Sequence, residues 1–513
     1  MKVTICVLLA AAAAWASVSS PRQAAEQVYC DLLGGSIEGK VVWSLPAEIS
    51  AGQMIETWHE EIPAPFAGYL VLVDDMGLAN WEHPCRWVFV SHAGEMQVVN
   101  MLTPPSALQR MTQEYSDLPV PSQADLRQQI LDWWVPNPRA GNDPAHTYAW
   151  IISGGYDSSN NHVRYYGDVQ FFYLTITDDY GYTDDHIVIC FADGTNPAPD
   201  QSGGANSNPD LDGDGDTDID FDATTTGVTS GYNAIAGMVG PNDHLVIFTT
   251  DHGGTGKLYG NNPPEVILNL WNTQTLDDDT FEGWLNTLNA ASINVAMEQC
   301  FSGGFLEETI QGSGPRTFAS AANGYESSWA GATYPQYDEW AYWWVGAHHG
   351  SVPPGGSYPG GALPGNPDMN GDGHVSYYEA AYRAEEWDSY AQSGQEHPQW
   401  DDIPNSCGDS YYLGGAIGTG VGDGGLAPLA GSLACIANPF SSSAAFTFGL
   451  AGPASVDLYV MDMSGRRVAT LVDGEMSAGE HTVPWEAAAM PSGIYIVRLS
   501  TEDAVEALRV VKF

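Results

Sequence analysis

His244-Leu-Val-Ile-Phe-Thr-Thr-Asp-His-Gly-Gly254 and, 48 residues on, Ser292-Ile-Asn-Val-Ala-Met-Glu-Gln-Cys-Phe-Ser-Gly-Gly304 are the two stretches whose reading decides the fold. Each is a short apolar run that ends in a polar, glycine-rich tip. Such runs read as buried strands, His244–Phe248 and Ile293–Met297. A helix-length segment, Thr280–Ala290, lies between them. Working outward, the pattern repeats. Tyr148–Ile152 ends in Ser153-Gly154-Gly155, His186–Phe191 ends in Ala192-Asp193-Gly194, and Thr317–Ala321 follows the cysteine stretch. Helical segments are expected at Val163–Thr175 and Thr225–Met238. Apolar strands alternating with helices imply an α/β unit, a parallel sheet flanked by helices on both faces. Function in such sheets collects beyond the carboxyl ends of the strands.

Both tips carry chemistry. His252 and Cys300 follow neighbouring strands, and adjacent strands lie only ~4.8 Å apart, so the two side chains can converge. A thiol becomes a strong nucleophile as thiolate, and an imidazole supplies that activation. Glycine after His252 lets backbone approach a substrate closely. The amides of Gly253 and Cys300 are then donors for a developing oxyanion. A lone strand-end cysteine is ordinarily a small buried hydrophobe. His-Gly-Gly and Cys-x-Ser-Gly, each after an apolar strand, point to a catalytic pair.

The stretch from Tyr148 to Tyr412 resembles the legumain family of caspase-like cysteine peptidases, in particular its bacterial members. FTTDHGG is similar to that family's histidine motif and MEQCFSGGF to its cysteine motif. ANGYESSWA, Ala322 to Ala330, is similar to the segment lining its specificity pocket, and RYYGDV, from Arg164, to the segment supplying a pocket arginine. The resemblance implies a caspase-hemoglobinase-like sheet, with His252 as general base and Cys300 as nucleophile. It makes Arg164, Glu298 and Ser328 pocket residues. Glu339 takes the place of a pocket aspartate, with Asp338 beside it as the alternative. Where the family has an asparagine orienting the histidine, this chain has His162, with Asn161 one step earlier. A cation and carboxylates in one pocket suit a side chain that both accepts and donates. Asn is therefore expected at P1, then Asp.

Asp368-Met-Asn370-Gly-Asp372-Gly-His374-Val-Ser376-Tyr-Tyr-Glu379 has oxygen donors, glycine and glutamate at the places of a twelve-residue EF-hand loop. Calcium is expected there, held by Asp368, Asn370, Asp372, His374, Ser376 and Glu379. Asp210, Asp212, Asp214, Asp216 and Asp218 repeat the first nine positions, but Phe221 stands at the twelfth, so a further carboxylate would come from Asp220, Asp222 or elsewhere. Calcium is read as structural, with no metal in the chemistry itself.

Around this unit the pattern changes. Residues 1–16 read as a secretory signal: Lys2, an apolar stretch too short to span a bilayer, then Ala14-Trp15-Ala16. Residues 17–134 read as a β-rich head with strands at Lys40–Trp43, Tyr69–Val73, Trp87–Ser91 and Met96–Met101 and a helix near Ala124–Trp134. Whether the head binds, assists folding or inhibits is not legible from its sequence. Proline, glycine and asparagine mark 135–146 as a linker, and self-cleavage after Asn142 is an expectation. The peptidase unit then covers 147–428. Residues 429–513 alternate as short strands and suggest an immunoglobulin-like sandwich. NPF, VMDMSGRRVATL, SAGEHTVPW and SGIYIVRL there resemble the C-terminal sorting domain of the type IX secretion system. That resemblance implies export through periplasm and outer membrane to the medium or cell surface, with the secretion machinery as partner.

With 64 acidic residues against 16 basic and a net charge of -48, the chain repels nucleic acid, which is excluded as a partner class. No later run is long and apolar enough for a transmembrane helix. Export would permit disulfides, and Cys30–Cys85 is an expected bridge. Protein or peptide substrates follow from the peptidase reading. Its alternatives are a gingipain-like Arg/Lys-specific peptidase, a peptide ligase, and, from another class, a calcium-binding surface adhesin or inactive peptidase-like scaffold.

Overall fold

The structure is a computed structural model. It describes residues 17–513 apart from 58–60, 119–122, 256–264, 313, 332–335, 355–359, 405, 418–430, 436–439, 451–452, 463–465, 478, 489 and 502–504. The expected signal segment, residues 1–16, lies outside the described residues.

Six strands form the central sheet. Their spatial order is Gln399–Ile403, Arg316–Ser320, Ser292–Met297, His244–Thr249, Thr147–Ser153 and Ile187–Phe191. Five run parallel, and the Gln399–Ile403 edge strand is antiparallel to Arg316–Ser320. Alternate residues point to opposite faces. Ile151, Phe248 and Ala296 pack beneath helices Val163–Leu174, Glu339–His349 and Tyr377–Trp387, whereas Trp150, Ile247 and Val295 pack against Thr225–Met238 and Asp278–Leu285. Both faces are covered, which is why the strands are apolar throughout rather than alternating. The chain leaves Thr147–Ser153 toward one side, then returns to the other at His244–Thr249, so these two strands flank the switch point where such sheets bind ligands.

In the head, five antiparallel strands are ordered Met96–Met101, Cys85–Ser91, Gly68–Asp74, Val41–Ser44 and Thr112–Ser116. Helix Pro21–Gln27, capped by Ser20, covers one face through Ala24 and Ala25. The opposite face carries Cys85, Trp87 and Phe89. This separates the two cysteines expected to pair: Cys30 is an exposed free thiol beyond that helix, and Cys85 is buried with its Sγ toward the Thr103 carbonyl at 3.3 Å. The expected Cys30–Cys85 bridge is therefore absent. Helix Gln123–Trp133 does not stay with the head: Leu126 and Ile130 are buried in the α/β core.

The C-terminal segment holds two antiparallel sheets. One is Gly431–Cys435, Ser443–Leu450 and Gly479–Glu486; the other is Arg467–Met476, Ala454–Asp462, Gly493–Ser500 and Val505–Lys512. Phe446, Phe448, Leu458, Val497 and Leu499 fill the space between them. Among the described residues, no helix is long and apolar enough to cross a membrane.

Candidate active site

Register brings the two tips level. Thr249 pairs directly with Met297, so His252 and Cys300 each stand three residues beyond a matched pair. Thr249 Oγ1 donates to Gln299 Oε1 at 2.6 Å and ties the tips together. Backbones then approach so closely that a Cβ on Gly253 would lie 2.1 Å from the Cys300 carbonyl oxygen. Only glycine fits there. The Asp251 carboxylate accepts from the amides of Gly154, Gly155 and His252, each at 2.6 Å, which fastens the histidine loop to the end of the Thr147–Ser153 strand.

His252 is fully buried. Its Nε2 donates to the Asn160 carbonyl at 2.9 Å, and its Nδ1 accepts from the Trp81 amide at 2.9 Å. These partners fix the tautomer and leave Nδ1 as the basic atom facing the cleft. Burial, followed by the Arg164 charge, holds the imidazole well below its usual range. The His162 and Tyr165 rings stand edge-on to His252, each with its centroid 5.3 Å away. The place where the resembled family has an asparagine is thus a ring contact, and a backbone carbonyl orients the histidine instead. Asn161 Nδ2 turns to the Asp200 carbonyl at 3.0 Å. Cys300 is also fully buried, with Sγ accepting from the Ser328 amide at 3.3 Å. Burial pushes its thiol up to about 12, against the Ser328 and Ser327 donors. In this closed arrangement burial favours the uncharged form of both groups, thiol and imidazole.

Arg164, Ser328 and Asp338 converge beside the pair. Arg164 Nε lies 2.9 Å from Asp338 Oδ1, both nearly inaccessible to water. Asp168 supports them, accepting from Thr250 Oγ1 at 2.8 Å and from the Asp338 amide at 3.2 Å. Burial and the neighbouring Asp338 charge push the Asp168 carboxyl well up, whereas Arg164 opposes the upward effect of burial on Asp338. Glu339 is not part of this cluster: its Oε1 accepts from the Ser389 amide at 2.9 Å. Glu298 is buried behind the pocket, with Oε2 on the Ala341 amide at 3.0 Å. Its carboxyl is pushed well up by burial and then by Asp338.

One further residue is in the pocket, and it belongs to the head. Asn80 Oδ1 accepts from Arg164 Nε at 3.2 Å, from Arg164 Nη2 and from the Tyr165 hydroxyl at 2.6 Å. Its Nδ2 donates to Ser328 Oγ at 3.0 Å and Asp338 Oδ1 at 3.3 Å. Sequence reasoning missed Asn80, Tyr165 and the Asn160 carbonyl. Tyr165 was legible only as the neighbour of Arg164. The other two carry no local pattern.

The two acidic loops lie elsewhere. Asp210, Asp212 and Asp218 bring carboxylate oxygens within 4.8 Å of one another. Asp214 and Asp216 are exposed, and Asp220 and Asp222 are engaged with the Ile189 amide and the Thr224 amide. In the second loop, Asp368 accepts from the Gly371 and Gly373 amides, Asn370 Oδ1 from the Asp372 amide, and Asp372 from the His374 amide. Glu379 reaches back to the Met369 and Asn370 amides at 2.8 and 3.0 Å and caps helix Tyr377–Trp387 together with Ser376. Its carboxylate thus already faces the loop, as a twelfth-position ligand must. The linker residue Asn142 is half-buried, with Nδ2 on the Asp179 carbonyl at 3.0 Å, and does not touch the His252–Cys300 cleft.

Residues 147–342 match the family model described as the Peptidase C13 family, and this segment contains His252, Cys300 and the pocket cluster. No curated protein matches the chain. Protein GSU0716 from Geobacter sulfurreducens aligns at 10% identity over 51% of this chain and 96% of its own, with a TM-score of 0.31. The endo-beta-1,4-mannanase from Thermotoga petrophila aligns at 10% identity over 56% of this chain and 60% of its own, with a TM-score of 0.14. Alignments this loose add nothing to fold or chemistry. The family match carries the conclusion: this chain is a cysteine-type peptidase, its segment 147–342 similar to the Peptidase C13, or legumain, family.

Proposed function

We propose that the chain is a secreted endopeptidase that cleaves after Asn, and less well after Asp, through Cys300 and His252. The seating of Asn80 supports this reading most directly. Its amide meets a cation and a phenol at the oxygen and a hydroxyl and a carboxylate at the nitrogen. A Lys or Arg side chain would instead bring its charge against Arg164, and a site built for two-sided polar matching discriminates strongly. As the cleft opens to water and substrate, His252 Nδ1 takes the thiol proton. The sulfur attacks the carbonyl carbon, and the Gly253 and Cys300 amides receive the oxyanion. His252 then protonates the leaving amine, and water hydrolyses the thioester. A peptide library varying P1 among Asn, Asp, Arg and Lys tests the specificity. Asn should lead and Cys300→Ala should abolish turnover; preference for Arg or Lys would sink the pocket assignment.

Calcium in the Asp368–Glu379 loop, and in the Asp210–Asp218 loop, is proposed as structural. The inward Glu379 carboxylate and the three clustered aspartates supply the donors. Chelation with EDTA should lower the melting temperature by several degrees, and calcium should restore it. Export and a sorting role for residues 429–513 rest on the sequence motifs alone. Deleting those residues should leave the chain in the periplasm of a host with that secretion system.

A further inference from the structure

We infer that Leu78–Glu82 is an intramolecular inhibitor: the head lays this segment in the substrate cleft as far as Asn80, then turns the Asn80 carbonyl away from the oxyanion site. The inference rests on the reading of the cleft as an Asn-specific peptidase site.

The unprimed side is occupied as an added β-strand. The Ala330 amide donates to the Leu78 carbonyl at 2.7 Å, the Asn80 amide donates to the Ser328 carbonyl at 3.0 Å, and Ala79 stands antiparallel to Trp329. Main-chain pairing with a side chain in a specificity pocket is the usual mode of extended-peptide recognition. Past Asn80 the geometry departs from a cleavable one. The Gly253 amide, placed to receive an oxyanion, donates instead to the carbonyl of Trp81 at 3.1 Å. The Asn80 carbonyl is engaged by His83 Nδ1 at 2.9 Å. His83 is itself held by the Asp74 carboxylate on Nε2 at 2.9 Å and stacks on the Trp81 ring at 3.9 Å. Beyond the pocket, Ser327 Oγ donates to the Glu82 carbonyl at 2.7 Å. The bond that would be cut is therefore present, with its carbonyl fastened to the head rather than to the enzyme.

Packing between the head and the α/β unit is incomplete. A cavity of about 340 Å³ remains at the seam, bounded by Trp43 and Leu108 on one side and His162, Val163 and Ser202 on the other. Within the inserted segment, Asn80, Trp81, Glu82 and His83 are all buried.

Removing His83 converts inhibitor into substrate. Sγ of Cys300 would bond to the Asn80 carbonyl carbon as the carbon–nitrogen bond to Trp81 breaks. The thiol proton passes through His252 to the Trp81 nitrogen, and water then releases the Asn80 carboxylate and regenerates the thiol. The test uses the full chain, with a fluorogenic Asn-amide peptide and an Asn-based electrophilic probe for Cys300. Wild type should be slow in both assays. Asn80→Ala should gain at least about tenfold in each, since losing the five side-chain hydrogen bonds weakens the seat by well over the ~1.4 kcal/mol that equals tenfold. His83→Ala should be cut between Asn80 and Trp81, seen by intact mass and a new N-terminus, and His83→Ala with Cys300→Ala should stay whole. If Asn80→Ala does not fold, the His83→Ala arm decides alone. Wild type turning over as fast as Asn80→Ala, or His83→Ala neither cut nor activated, overturns the inhibitor while leaving the peptidase intact. Absence of turnover and of probe labelling in every form overturns the peptidase reading and the inference with it.

Discussion

Asp338 and Glu339 are adjacent in sequence and face different tasks. Asp338 is buried against Arg164 and Asn80, whereas Glu339 turns to Ser389 at the start of its helix. Breaking one partner of a buried charge pair is costly, so Asp338→Asn should lower kcat/KM for Asn substrates by about 100-fold. Glu339→Gln should stay within about twofold, because the buried Glu339 carboxylate meets the Ser389 amide rather than Arg164 or Asn80. Kinetics on matched Asn and Asp peptides check both. Arg164 and Ser328, which the structure brings together with Asp338, could be singled out from the sequence, but the choice between the neighbouring acids could not, because it depends on which way a helix start is turned. The orienting group of His252 was beyond reach for a different reason. It is the Asn160 carbonyl, and every residue has one.

At the scale of elements, apolar runs marked the strands well. Met96–Met101 and helix Thr225–Met238 begin and end where expected, and the central strands differ by a residue or so. Helix Asp278–Leu285 starts earlier than its apolar spacing suggests, because Asp277 caps it through the Thr280 amide, and it stops sooner, at Leu285. Level strands deliver His252 and Cys300 together, but the contact between their tips depends on a missing side chain. Gly253→Ala would force its Cβ into the Cys300 carbonyl and push the loops apart. A misplacement of ~1 Å at reacting groups costs ~100-fold, so activity should fall by at least that much. Measured on the Asn80→Ala background, with melting curves alongside, the loss should exceed any change in stability.

The whole molecule carries a strongly acidic charge, and part of it is paid out only when the chain unfolds. Burial, ahead of neighbouring carboxylates, raises Asp193, Glu308 and Asp388 to about 7 each. Their unfolded counterparts titrate near ~4. Between those values the folded state binds more protons, so their stabilising contribution is full below the unfolded value and is lost as pH rises through about 7. The melting temperature in EDTA should therefore be higher at pH 5.5 than at pH 8, and Asp388→Asn should flatten the slope. A flat or rising profile in the wild type would contradict this. At this scale the sequence was least informative. Nothing in the pattern around Leu78–Glu82 announces that a head would reach into a cleft formed by residues hundreds of positions away, because such packing has no local period.

The head and the cleft it fills are one polypeptide, joined between Ser116 and Gln123. A tethered occupant acts at an effective concentration of roughly millimolar, whatever its intrinsic affinity. Severing that connection would leave every contact in place yet turn occupancy into a two-body equilibrium. A nicked sample should then be quiet when concentrated and awaken on dilution, so a single distant cut would make latency depend on how crowded the molecules are.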